Sequence, residues 1–173
     1  LRDGKNAMIT TPEGPVMVQA GALVLATGSA PVALPSLPFG GPVISSTEAL
    51  ALTELPGRLA VVGGGYIGLE LGIAFAKLGS QVTVVEAAPH ILPQYDAELT
   101  APVAQRLSGF GMRLLTGARA GGLSDTGALR VAADEGAQEI TADKVLVTVG
   151  RRPRRDAAGI GALRLQMAGP HIS

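Results

Sequence analysis

The apolar positions change period twice between Arg58 and Glu86, in the stretch RLAVVGGGYIGLELGIAFAKLGSQVTVVE. Leu59, Ala60, Val61 and Val62 form a continuous apolar run, which predicts a short buried strand. From Ile67 the spacing becomes helical, with Ile67, Leu71, Ala74, Phe75 and Leu78 on one predicted stripe. Gly79 ends that helix, and Gln81 to Val85 predicts a second strand closing on Glu86. Strand, helix and strand together make one βαβ unit of about 30 residues, the length a dinucleotide-binding unit requires.

On the N-terminal side the pattern is β-rich. Asn6 to Thr10 and Val16 to Gln19 predict short strands separated by the turn segment Thr11-Pro12-Glu13-Gly14-Pro15. Ala22 to Ala26 is a continuous apolar run and predicts a buried strand ending in Ala26-Thr27-Gly28-Ser29. Residues 31 to 42 hold four prolines and two glycines and predict a semi-rigid crossing. A short helix follows, capped by Ser46 or Thr47, and Leu55-Pro56-Gly57 stops it.

Beyond Glu86, residues 87 to 95 predict a loop. Asp96 can cap a helix through Leu99, Val103 and Leu107, with Pro102 requiring either a kink or a start at Thr100. Gly109 and Gly111 end it, and Met112 to Thr116 predicts another parallel strand. Leu129 to Ala133 and Glu139 to Thr141 flank Asp134-Glu135-Gly136, a hairpin signal, so residues 118 to 141 predict a small antiparallel meander. Lys144 to Val149 predicts a last buried strand, which leaves on Gly150-Arg151-Arg152-Pro153-Arg154-Arg155.

The turn between the first strand and the helix, Gly63-Gly64-Gly65-Tyr66-Ile67-Gly68, has the spacing GxGxxG. Gly63 permits a tight exit from the strand, Gly65 lets a pyrophosphate approach the backbone, and Gly68 lets the helix pack on the sheet. Free N–H groups and the positive dipole end at the helix start then favour phosphate. Glu86 follows Gly68 by eighteen residues, where a carboxylate can accept hydrogen bonds from ribose hydroxyls. A carboxylate repels a 2′-phosphate, and Ala87, Ala88 and Pro89 supply no arginine to hold one, so NAD is expected over NADP.

A bare GxGxxG says little in a chain with 24 glycines; the flanking strand, helix and acidic strand end give it weight. At 173 residues and 47% hydrophobic content the chain can build a sizeable core, and 3% aromatics make that core aliphatic. A net charge of zero argues against electrostatic capture of nucleic acid or an acidic membrane. Without cysteine there is no disulfide, thiolate metal site or cysteine nucleophile in these residues. His90 and His171 have no partner at metal-ligand or triad spacing and read as surface histidines. No metal site and no catalytic residue are expected. No apolar run reaches the length of a membrane span, no leader is visible before Leu1, and a cytoplasmic location is expected.

Other residues stay open on spacing alone. Glu70 is either a carboxylate favoured near a helix N-terminus or a polar group beside the far end of a bound dinucleotide. Tyr66 can pack on protein or cover the ligand. Gly28 reads as a turn glycine. The arginines from Arg151 to Arg155 are a solvated face or a contact to phosphate or a neighbouring domain.

Three segments in order resemble one family. Residues 25–29 (LATGS), 61–72 (VVGGGYIGLELG) and 145–153 (VLVTVGRRP) are similar to the pyridine nucleotide–disulfide oxidoreductases, and TEAL, ILPQYD and VVE narrow the resemblance to dihydrolipoyl dehydrogenases. The resemblance implies an α/β fold: a Rossmann-like parallel sheet with helices and a small antiparallel β-meander, flanked by partial FAD-domain strands. It divides the chain into a partial FAD-binding segment (1–30), an NAD-binding domain (31–149) and a return segment toward the FAD domain (150–173). Gly63, Gly64, Gly65, Tyr66, Ile67 and Gly68 then match the NAD pyrophosphate turn, and Glu86 the ribose position. Glu70 matches a glutamate beside nicotinamide, and Tyr66 a position that in some relatives shields the flavin. Ala120 matches a backbone contact to adenine. Thr27 and Gly28 match the flavin nucleotide side, and Gly150 and Arg151 the crossing back toward FAD.

In that family a dithiol reduces an enzyme disulfide, electrons pass to FAD, and hydride leaves for NAD+. The resemblance therefore implies FAD and NAD as cofactors. It also implies dihydrolipoamide, carried on the lipoyl domain of a 2-oxo acid dehydrogenase complex, as the parent's partner, and a homodimeric parent. The family's own FAD GxGxxG, CxxxxC disulfide, later GD motif and His–Glu pair are absent here, so the chain reads as a fragment without dihydrolipoamide activity of its own. A transhydrogenase, mercuric reductase or NADH oxidase, or a stand-alone NAD-binding module, are the alternatives.

Overall fold

The computed structural model describes residues 3–134, 136–155, 159–169 and 171–172. The chain divides into two compact units, Pro31–Gly150 and a second made of Leu1–Ala30 with Arg151–Ser173.

In the larger unit five parallel strands form one sheet: β4 (Val43–Ile44), β5 (Arg58–Val62), β6 (Gln81–Val85), β7 (Arg113–Leu115) and β11 (Lys144–Val147), in the order β4-β11-β5-β6-β7. Val61 lies opposite Val84 on one side and Leu146 on the other, so the most apolar runs of the sequence are central. Their side chains alternate between two cores, as a sheet covered on both faces demands. Leu59, Val61, Val82, Val84 and Leu146 pack with helices α2 (Tyr66–Leu78) and α3 (Ala97–Gly109). Ala60, Val62, Val85, Val145 and Val147 face the antiparallel meander β8 (Arg119–Leu123), β9 (Leu129–Ala133) and β10 (Gly136–Ile140), through Leu129, Val131 and Ile140. Helices therefore cover one face and a second sheet covers the other. The hairpin expected at 134–136 joins β9 to β10, with Glu135 outside the described residues.

Three details differ from the sequence pattern. The buried face of α2 is Gly68, Leu69, Gly72 and Phe75, whereas Ala74 is exposed and Leu78 is 69% exposed. The helix rests on the sheet through glycines: a Cβ on Gly72 would meet Met112 Cε at 3.0 Å. The short helix α1 (Ser46–Leu50) is capped one residue earlier than expected, by Ser45, which forms a capping box with Glu48. Helix α3 starts at Ala97 rather than Thr100 and keeps Pro102 in its interior, and Asp96 stands at the N-cap position without a capping hydrogen bond from its side chain. Pro102 is exposed, so the carbonyl four residues back, which has no N–H to accept, can turn to water.

The crossing at 31–42 is irregular, as its prolines predict, yet Leu37 within it is fully buried.

The smaller unit contains the antiparallel hairpin β1 (Asn6–Thr11) and β2 (Gly14–Gln19), and β3 (Ser29–Pro31) begins within it. The other elements are β12 (Arg151–Pro153), a 3-10 turn (Ile160–Leu163) and the small hairpin β13 (Met167–Ala168) with β14 (His171–Ile172). Residues 22–26 are not a strand, and Val24 is 85% exposed. An apolar run becomes a strand only where a neighbour takes its backbone hydrogen bonds, and no described strand pairs with this one.

Candidate functional site

Strands β5, β6 and β11 are parallel neighbours, so the loops after Val62, Val85 and Val147 leave the same edge of the sheet. From β5 the chain moves through β6 to β7 on one side and then returns through the meander to β11 on the other, and such switch points are where open α/β sheets bind ligands.

Every backbone polar group of the turn up to Gly64 is used within the protein. The Gly63 N–H donates to the Val85 carbonyl at 2.9 Å, and the Gly63 carbonyl accepts from Thr148 Oγ1 at 3.1 Å. The Gly64 N–H donates to Glu86 Oε2 at 2.6 Å, and its carbonyl accepts from the Leu92 N–H at 2.9 Å. From Gly65 the pattern reverses. Gly65 caps α2 without a side-chain acceptor, and the first helical bond is Leu69 N–H to the Gly65 carbonyl. Among the described residues no group accepts from the N–H groups of Gly65, Tyr66 or Ile67, which stand at the positive end of the helix.

The three spaced glycines differ in what surrounds them. Gly63 has φ +106°, and a Cβ there would meet the Thr148 carbonyl oxygen at 2.7 Å. A Cβ on Gly68 would strike the Gly63 carbonyl and lie 2.5 Å from Thr148 Oγ1. A Cβ on Gly65 would meet nothing within 4 Å, so this glycine faces open space beside the free N–H groups. The cradle fits an anionic group brought close to backbone, and the pyrophosphate of a dinucleotide is such a group.

Glu86 is 9% exposed, and its other oxygen, Oε1, accepts from the Ala88 N–H at 2.7 Å. Each carboxylate oxygen has two acceptor directions, and among the described residues only one on each is used. Backbone bonds from Ala118 N–H to the Glu86 carbonyl and from Gly117 N–H to the Ala88 carbonyl close the wall beside it.

Gly63, Gly64, Gly65, Tyr66, Ile67, Gly68 and Glu86 thus come together at one edge. Tyr66 is 59% exposed at the first helical position, Ile67 is half-buried, and Glu70 is exposed one turn further along. Ala120 lies on β8 with its side chain against the meander core, two residues beyond the Ala118 contact. Gly150, with φ +134°, holds the Val32 N–H on its carbonyl at 3.0 Å. In the smaller unit Thr27 Oγ1 donates to the Arg154 carbonyl at 2.8 Å, and the Gly28 carbonyl accepts from Arg154 N–H at 3.0 Å. Arg151 grips Ser29, through Nε to its Oγ at 2.7 Å and through a second nitrogen to its carbonyl at 2.9 Å.

Sequence reasoning missed Thr148, Leu92 and the Ala88 N–H. Thr148 carried a signal, being a hydroxyl that directly follows the apolar run Val145–Val147; Leu92, with φ +51°, carried none.

The sheet, the glycine turn and the buried strand-end carboxylate make a unit with the Rossmann-type fold. A family profile described as pyridine nucleotide-disulphide oxidoreductase matches residues 5–170. The chain belongs to the pyridine nucleotide-disulphide oxidoreductase family. It is 53% identical to a dihydrolipoyl dehydrogenase of Pseudomonas aeruginosa over 171 residues, which is 98% of this chain and 37% of that protein. A dihydrolipoyl dehydrogenase of Geobacillus stearothermophilus is 41% identical over 147 residues, 83% of this chain and 31% of that protein. Among solved structures, the flavoprotein disulfide reductase RclA of Escherichia coli superposes with TM-score 0.81 at 26% identity, covering 98% of this chain and 39% of its own. LpdA of Mycobacterium tuberculosis superposes with TM-score 0.77 at 31% identity, covering 94% and 36%. The chain spans about a third of the length of the curated relatives it matches. Among the described residues no helix is long and apolar enough to cross a membrane, and no cluster of metal-ligating side chains occurs.

Proposed function

We propose that this chain seats NAD+ in a flavin-dependent dihydrolipoyl dehydrogenase, as the acceptor of hydride from reduced FAD. The observation that carries the reading is the hydrogen-bond pattern of the glycine turn. Its groups are consumed up to Gly64 and left over from Gly65 onward, beside a buried carboxylate with spare acceptor capacity. The N–H groups of Gly65, Tyr66 and Ile67 would hold the pyrophosphate, and Glu86 the adenosine ribose. Ala120 would line the adenine end. Glu70 and Tyr66, one helical turn apart, would flank the nicotinamide end, with Gly150 beyond them. When bound, NAD+ supplies the hydride-accepting ring; the residues named here bind and orient it and exclude a 2′-phosphate. Thr27, Gly28 and Arg151 would belong to the flavin side. The parent would act on dihydrolipoamide carried by the lipoyl domain of a 2-oxo acid dehydrogenase complex, as a homodimer in the cytoplasm.

The fold likeness to RclA favours a second reading, in which the same seat serves another flavoprotein disulfide reductase. Calorimetric titration of the chain and its Glu86→Ala variant with NAD+ and NADP+ tests the seat itself. Preferential NAD+ binding that weakens in the variant is expected; preference for NADP+ would overturn the ribose assignment. The chain alone is expected to show no dihydrolipoamide oxidation, because it has no thiol to receive the electrons.

A further inference from the structure

A single peptide plane inside the turn is held at both of its ends by side chains from different strands. The Gly63 carbonyl and the Gly64 N–H belong to one rigid amide. Its oxygen accepts from Thr148 Oγ1 at 3.1 Å, and its N–H donates to Glu86 Oε2 at 2.6 Å. Thr148 leaves β11 and Glu86 leaves β6, the two neighbours of β5 in the sheet. The clamp therefore reaches across the switch point from both sides.

This amide needs holding. It lies between two glycines, the residues that resist backbone rotation least, and Gly63 already sits at φ +106°. A flip of the plane would point the Gly63 oxygen toward Glu86 and so set one acceptor against another. It would also re-aim the following residues, whose N–H groups are the free ones. Thr148 is well placed to prevent this. Its hydroxyl lies within reach of both the Val62 and the Gly63 carbonyls, at 3.2 and 3.1 Å, but the Val62 carbonyl already accepts from the Thr148 N–H at 2.8 Å, so Gly63 is the oxygen that depends on the hydroxyl.

We propose that Thr148 is a positioning residue for the dinucleotide: with Glu86 it locks the Gly63–Gly64 peptide in the orientation that presents the following N–H groups to a pyrophosphate. The inference rests on the NAD+ seat proposed above. Glu86 has two duties, to the peptide and to the ribose, while Thr148 has only the first, so Thr148 separates them.

The test uses the full chain with Thr148→Val and Thr148→Ala, which remove the hydroxyl, and Thr148→Ser, which keeps it. NAD+ is the probe with a pyrophosphate and adenosine the probe without one, both titrated by amide NMR. Losing one neutral hydrogen bond weakens NAD+ binding by about 3- to 10-fold in the Val and Ala variants. Adenosine binding stays unchanged, and Ser restores NAD+ binding. The Gly64 amide proton, shifted downfield by its carboxylate partner, moves upfield or broadens in Val and Ala and recovers in Ser. An unchanged Gly64 resonance in a folded Val or Ala variant, or equal loss of NAD+ and adenosine binding, overturns the positioning role. So does unchanged NAD+ binding in those variants beside a binding wild type, which leaves the seat itself intact. Failure of the wild type to bind NAD+ overturns the seat and the clamp together.

Discussion

Adding a methyl group to Gly65 and to Gly68 separates the two jobs of the turn, because the two glycines have opposite surroundings. At Gly65 the backbone is extended (φ −78°, ψ 174°), which alanine adopts freely, and a Cβ would meet no atom within 4 Å. Two effects on folding then offset. Restricting the unfolded chain stabilises by about 0.4–1 kcal/mol, and alanine is a poorer N-cap than glycine by about 0.5–1 kcal/mol. Gly65→Ala should therefore melt close to wild type. The methyl does enter the open side of the free N–H groups. If it meets a bound pyrophosphate as an overpacked core meets an extra methylene, at about 1–3 kcal/mol, NAD+ affinity falls by about 5- to 150-fold. At Gly68 the added carbon would run into the Gly63 carbonyl, lie 2.5 Å from Thr148 Oγ1 and 3.0 Å from Val61 Cγ1. None of these atoms ends a long flexible side chain, so helix α2 must lift from β5. The same overpacking cost now falls on folding and lowers the melting temperature by about 2–12 °C. Thermal unfolding by circular dichroism and calorimetric titration with NAD+ read the two effects separately. Unaltered NAD+ affinity in a folded Gly65→Ala variant would refute the close approach of a ligand at that residue. A Gly68→Ala variant that melts like wild type would refute the account of helix packing.

Three further outcomes follow from contacts already described. Glu86→Gln keeps one acceptor and turns an amide NH2 toward a backbone N–H, so one charge-assisted bond is lost and stability drops by about 1.5–3 kcal/mol in a thermal melt even without ligand; a melt equal to wild type would mean the two bonds contribute nothing to folding. Pro102→Ala restores the missing i to i−4 bond on an exposed stretch of α3 and should raise stability by about 1–3 kcal/mol, read as a higher melting temperature; a variant that melts at or below wild type would refute this. The Asp143 carboxyl is held below the usual carboxylate range, first by the Arg58 side chain at 2.8 Å and then by the Arg58 N–H. A depressed pKa contributes stability that is complete above the ordinary value near 3.8 and lost as pH falls through the lowered one, so Asp143→Asn should flatten the melting-temperature profile below pH of about 4, and an identical acid limb would refute this.

How far the sequence could be read depended on whether a residue's neighbours were close in the chain. The strand at Leu59–Val62, the glycine turn and the Gln81–Val85 strand were legible because each is dictated by local apolar spacing and by backbone conformations that only glycine tolerates. The buried face of α2 was misplaced for a related reason. Hydrophobic periodicity gives weight to large side chains, and this helix approaches the sheet through the two residues that have none, Gly68 and Gly72. The run at 22–26 failed in the other direction, since its apolar residues announce a strand but cannot supply the partner that would make it one. At the site, Glu86 was legible from its distance to the turn, but its bonds to Gly64 and Ala88 were not. Those bonds, like the reach of Thr148 over 85 residues to the Gly63 carbonyl, exist only once β11, β5 and β6 lie side by side. A fingerprint therefore reports which backbone must approach a ligand. The side chains that hold that backbone still come from adjacent strands, and their positions in the sequence follow from the order of the sheet.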